Sequence, residues 1–189
     1  QLPADQPIVL VGHSMGGPVA VEAALLLGER VRGVIGVDTF ASIGLPKPSA
    51  VENAARLAAF ERDFRSTTYA FVSQSFFRAD ADPSLRERIA NDMASADPKV
   101  ALAAIQGLND WDGTQRLPLL KQPIATINAD QVPLDAARLQ RYAPSFQLIT
   151  PAGQGHFLMM ENPTRFNPVL IETISGMLDD QRAEVSASR

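Results

Sequence analysis

Residues 8–17 read Ile8-Val9-Leu10-Val11-Gly12-His13-Ser14-Met15-Gly16-Gly17, and this stretch decides the fold. Four consecutive apolar residues describe a short strand buried on both faces, the pattern of a parallel sheet. From Met15 to Leu27 the pattern turns helical. Val19, Ala20, Ala23, Ala24 and Leu27 fall on one face, Pro18 sits in the first turn, and Gly28 supplies a C-cap. Between strand and helix stands Gly12-x-Ser14-x-Gly16. To aim a serine oxygen out of the sheet the chain must turn sharply, with the serine in strained backbone. The residues two positions to either side then come close, so small size is expected at both. The N-terminal amides of the helix face the same spot, and the Met15 N–H is placed to stabilise an oxyanion.

Outward from this stretch, Val31 to Val37 reads as the next strand, ending at Asp38, which makes a βαβ unit with a right-handed crossover. From about Leu45 to Gln115 no strand is legible. Leu85, Ile89 and Met93 recur every four residues, and Val100, Ala101, Ala104, Ile105 and Leu108 repeat helical spacing. This region reads as an inserted helical cap. Strand character returns at Ile124 to Ile127, a helix follows from about Leu134 to Tyr142, and Phe146 to Ile149 is a last short strand. The glycine-rich loop Pro151 to His156 leads into a helix striped by Phe166, Val169, Leu170, Ile174, Met177 and Leu178. The expected organisation is a core of residues 1–44 and 116–181, a cap of 45–115 and a polar tail of 182–189.

Composition narrows the function classes. Of 189 residues, 46% are hydrophobic and 20% charged, an ordinary globular balance, and the net charge of −4 comes with no basic stripe, so nucleic acid is not an expected partner. No apolar stretch is long enough for a membrane span. Cysteine is absent, which removes thiol nucleophiles, disulfides and thiolate metal sites together. No P-loop, H-E-x-x-H or Cys/His cluster is present, so neither a cofactor nor a metal is expected.

The chain has two histidines. His13 adjoins Ser14, and neighbouring side chains at a strand end point to opposite sides, which suits His13 to packing beside the turn. His156, in Gly153-Gln154-Gly155-His156-Phe157, is then the general base available to Ser14. A carboxylate should orient it. Chain order Ser…Asp…His and a position just past the third strand favour Asp130, with Asp38 at the end of the second strand as the main rival. Asp135 fits a helix's first turn, and Asp110 and Asp112 read as surface charges.

Taken together these residues resemble the α/β-hydrolase superfamily, in particular its lid-bearing, esterase-like members. Gly12-His13-Ser14-Met15-Gly16-Gly17 is similar to that family's nucleophile elbow. Gly155-His156-Phe157, followed by Glu161-Asn162-Pro163 and a helix, resembles its histidine loop. The resemblance implies Ser14 as nucleophile, His156 as base, Asp130 as acid and the Met15 amide as an oxyanion donor. It also implies an α/β fold with a mostly parallel sheet flanked by helices. The first residue is Gln1, and family members carry further strands before the elbow, so the chain is expected to hold the C-terminal part of that fold. The strand at Ile8 would then be an exposed edge and a route to self-association.

The expected activity is hydrolysis of small, apolar carboxylic esters through an acyl-enzyme. The alternatives are a non-catalytic binding module, or a relative acting on amides, thioesters or carbon–carbon bonds. Phe60, Phe64, Tyr69, Phe71, Phe76, Phe77 and Trp111 concentrate in the cap region, where they serve either as its own core or as an apolar lining over Ser14.

Overall fold

The computed structural model describes residue 3 and residues 6–187, with side chains through Asp179. Four strands, β1 (Ile8–His13), β2 (Val31–Val37), β3 (Ile124–Ile127) and β4 (Gln147–Ile149), form one sheet in the order β1-β2-β3-β4. Every pairing is parallel, with Leu10 opposite Val34, Ile35 opposite Ala125 and Ile127 opposite Ile149. All C-terminal strand ends therefore meet along one edge.

Helix α1 (Gly16–Leu27) makes the crossover from β1 to β2 and covers one face of the sheet. Its Ala20, Val21 and Ala24 are buried with Val34, Ile124, Leu139 and Phe146. Ile35, Val37, Ala125 and Ile127 face the other way and pack on Phe166 and Met177 of α9 (Pro163–Ala187), part of the apolar stripe expected there. Val34, Ile35 and Ile127 are wholly inaccessible, and each such side chain contributes about 1.5–3 kcal/mol to the folded state. Consecutive residues of β2 serve opposite faces, which explains why that strand reads as an unbroken apolar run. β1 has β2 as its neighbour and, among the described residues, no strand on its other side; Val11 is 46% exposed there.

Between β2 and β3 lie α2 (Ala50–Arg62), α3 (Phe64–Ser75), α4 (Pro83–Ala94), α5 (Pro98–Asp110) and the short α6 (Gly113–Arg116). Their starts are written in the sequence. Ser49 and Glu52 form a capping box, and Asp63, Asp82, Asp97 and Asp112 each accept an N–H of the following first turn. Pro83 and Pro98 occupy first-turn positions. Val72, Phe77, Ile89 and Ala90 give this insertion a core of its own, which Phe157 of the histidine loop enters. The helical face of α5 is covered only in part, with Val100 68% exposed.

Two short helices, α7 (Ala136–Gln140) and α8 (Leu158–Glu161), complete the described structure. α7 is shorter than its periodicity suggests, because Asp135 is its N-cap, accepting the Arg138 N–H, and lies outside the first turn. α9 runs on to Ala187, into the segment expected as a tail; residues 188 and 189 lie outside the described residues. No described helix is long and apolar enough to cross a membrane.

Candidate active site

The sheet's C-terminal edge is stitched in steps. The Ser14 N–H donates to the Val37 carbonyl (2.9 Å), Asp38 N–H to Ile127 (3.0 Å) and Asn128 N–H to Ile149 (2.9 Å). Ser14, Asp38 and Asn128 thus stand on consecutive strand ends. Two of them are strained: Ser14 has φ of 52° and Asp38 of 44°, and Phe40, two residues on, has 67°. Backbone in this region costs energy for residues with a side chain and concentrates where a site is held in one shape.

The elbow explains one of its glycines. A Cβ on Gly12 would lie 2.0 Å from the Gly16 carbonyl oxygen, so no larger residue fits. At Gly16 itself nothing lies within 4 Å of such an atom, so the expectation of tight space at both ends holds only for Gly12. The tight second position is Gly17, whose Cβ would lie 2.6 Å from Thr39. Met15 is the N-cap of α1, and its N–H donates to no described backbone carbonyl.

His156 is held from several sides. Its N–H donates to the Phe76 carbonyl (2.9 Å), its own carbonyl accepts from His13 Nε2 (2.8 Å), and its ring stacks on Phe76 with centroids 4.2 Å apart. The amides on either side, Gly155 and Phe157, donate to the two oxygens of Glu161 (2.9 and 3.0 Å). The imidazole Nδ1–H donates to Asp38 Oδ2 (2.5 Å), which leaves Nε2 as the unprotonated nitrogen of the neutral ring. The other oxygen of Asp38 accepts the Ala129 N–H (2.9 Å). Burial, then the nearness of His156, holds the His13 pKa below its ordinary value, and its Nε2 donates to the His156 carbonyl.

Asp130, expected as the partner of His156, is placed elsewhere. Its Oδ2 accepts the Gly153 N–H (3.0 Å) and its Oδ1 pairs with Arg78 (3.2 Å), with the Gly153 contact the main cause of its lowered pKa. The reason lies in the histidine loop, which the Phe76 carbonyl and Glu161 hold so that the imidazole meets Asp38. Asp38 ends the strand beside β1, whereas Asp130 lies past the end of β3, one strand further from Ser14. Asn128 holds this alternative in place: it donates to the Thr39 carbonyl (3.0 Å), accepts the Thr39 N–H (3.3 Å) and bonds Thr126. Sequence reading passed over Asn128, although a buried polar residue at a strand end is a sign of such a tie.

Ser14, Met15 and Asp38 open onto a cleft of about 680 Å³ that is also lined by Arg56, Leu108, Asn109 and Trp111 from the helical insertion. Trp111 is fixed by its Nε1–H on Glu22 of α1 (2.8 Å), and Arg116 grips both oxygens of the same carboxylate (2.7 and 2.6 Å). Of the insertion's aromatic rings, Phe60, Phe64 and Phe77 are buried, while Phe76 reaches His156 and Trp111 lines the cleft. Ser14 Oγ makes no hydrogen bond within the described residues.

Comparison with known proteins agrees with this architecture. The chain is 26% identical over 179 residues to the polyketide synthase ThaQ of Burkholderia thailandensis, covering 88% of this chain and 8% of that protein. It is similar in structure to a thermophilic esterase from Thermogutta terrifontis, with 26% identity, a TM-score of 0.74, and 91% of this chain and 66% of that one covered. An esterase from Exiguobacterium antarcticum gives 21% identity and a TM-score of 0.76, over 90% and 67% of the two chains. A bromoperoxidase from Bacillus anthracis gives 20% and 0.76, over 90% and 68%. The chain therefore spans about two thirds of the length of these structural relatives and a small part of the synthase. The description of the matching family model is "Alpha/beta hydrolase family", and the match runs over residues 1–169. With the parallel sheet, the strained serine turn and a family match over most of its length, the chain belongs to the alpha/beta hydrolase family.

Proposed function

We propose that this chain carries the catalytic residues of a serine hydrolase acting on small carboxylic esters, with Ser14 as nucleophile, His156 as base and Asp38 as the orienting acid. The observation that carries the reading is the His156 Nδ1–H to Asp38 Oδ2 hydrogen bond. It fixes the tautomer in which Nε2 can accept a proton, and it sets a negative charge where the imidazolium would form. Ser14 Oγ attacks the ester carbonyl carbon while His156 Nε2 takes the hydroxyl proton. The Met15 N–H at the start of α1 stabilises the oxyanion. Collapse of the tetrahedral intermediate releases the alcohol, protonated by His156, and leaves an ester on Ser14. Water, giving a proton to Nε2, attacks the acyl carbonyl carbon, and His156 returns that proton to Ser14 Oγ as the bond to the serine breaks and the acid leaves. Residues 45–115 act as a cap that closes the cleft over the serine.

A second reading, a non-catalytic binding module of the same fold, is favoured by the lack of a Ser14–His156 hydrogen bond. Such contacts often tighten only when substrate is bound. A fluorophosphonate probe separates the two. The hydrolase reading expects covalent labelling that disappears in Ser14→Ala; an unlabelled native chain favours the binding module.

A further inference from the structure

The part of the cleft that the helical insertion lines carries an arginine and two asparagines that the reaction at Ser14 does not use. Arg56 of α2 lines the cleft and has no carboxylate within ion-pairing distance among the described residues. Its guanidinium is aimed by two neutral amides: Nη2 donates to Asn53 Oδ1 (3.2 Å) and to Asn109 Oδ1 (2.8 Å). Both asparagines also line the cleft. Their oxygens are turned onto Arg56, and Asn109 Nδ2 is buried beside the cleft without a partner. The other charges nearby are already occupied. Asp112 is spent on Thr114 and Gln115 at the start of α6, and Lys47 lies beside it, lowering its pKa further. What remains is a guanidinium without a carboxylate partner, flanked by two amides whose oxygens it already holds. That donor set is complementary to a carboxylate or a phosphate oxygen.

We propose that Arg56, Asn53 and Asn109 form a specificity subsite for an anionic group on the substrate, a carboxylate or phosphate carried at the far end of the ester. The proposal rests on the ester-hydrolase reading of Ser14 and narrows it: the substrate is a half-ester or phosphate-bearing ester rather than a wholly apolar one.

The test compares kcat/KM for mono-p-nitrophenyl glutarate with that for p-nitrophenyl valerate, a neutral ester of matched length. The native chain should prefer the anionic ester by about tenfold, the factor of one charge-assisted contact, and the preference should fall as salt rises. Arg56→Gln should abolish the preference, and Arg56→Lys should keep part of it. A third ester ending in phosphate distinguishes the two anions, since the preferred one gives the larger ratio. Equal or faster turnover of the valerate ester by the native chain, or a ratio unchanged in Arg56→Gln, overturns the proposal. If no ester is turned over, the hydrolase reading fails separately, and the subsite is read without activity. Trp111 is the sole tryptophan and lines the cleft, so its fluorescence should report titration with glutarate or inorganic phosphate. A saturable change lost in Arg56→Gln supports the subsite; no change with either anion overturns it.

Discussion

His156 and Phe76 are joined twice: the loop amide of His156 donates to the Phe76 carbonyl, and the two rings stack 4.2 Å apart at 29°. Phe76 closes α3, so a residue of the helical insertion sets both the height and the tilt of an imidazole that belongs to the core. The insertion is thereby part of the machinery that positions His156.

Phe76→Leu keeps an apolar cover and removes the ring face. It should lower kcat/KM for an activated ester by about tenfold, because an imidazole that loses its stacking partner is held less closely in its reactive orientation. The loss should fall on kcat with KM little changed, and Phe76→Tyr, which restores the ring, should recover most of it. Steady-state kinetics of the three proteins check this, and an unchanged kcat in Phe76→Leu would deny Phe76 this role.

Stability should depend on His13. Burial depresses its folded pKa below the unfolded value of 6.5, so the unfolded chain binds more protons in the window just below 6.5. The contribution is complete above about pH 6.5 and is lost as pH falls through that window toward the folded pKa, with a slope of at most about 1.4 kcal/mol per pH unit. Urea titrations between pH 7.5 and 5 should show a steeper loss for the native chain than for His13→Gln. Parallel curves would contradict the assignment.

The side of β1 that no described strand covers predicts self-association. Val11 on that strand is an exposed apolar side chain, and an unpaired edge is a template for a second copy. Sedimentation velocity should show concentration-dependent association of the native chain, reduced in Val11→Lys. A monomer across the whole concentration range would refute this.

Much of this was legible because it is local. β2 and β3 are apolar runs and coincide with Val31–Val37 and Ile124–Ile127. The insertion's helix starts are written as Asp-Pro and Ser-x-x-Glu. The choice between Asp38 and Asp130 is not local. Both follow a strand end in the same chain order. What separates them is the path of the histidine loop, set by the Phe76 carbonyl and by Glu161, and the pin that Asn128 puts on Thr39. The contacts of the loop with Phe76 and Glu161 have no signature in sequence spacing. The open space at Gly16 likewise depends on how α1 leaves the elbow.

The proposed triad is tested most directly by paired substitutions measured on one activated ester. Asp38→Asn should lower kcat/KM by about 10⁴-fold, because an amide cannot hold the imidazole in the required tautomer or offset its charge. Asp130→Asn loosens only the Gly153 and Arg78 contacts and should cost at most about fivefold. The reverse order, with the larger loss at Asp130, would contradict the assignment of Asp38 as the acid.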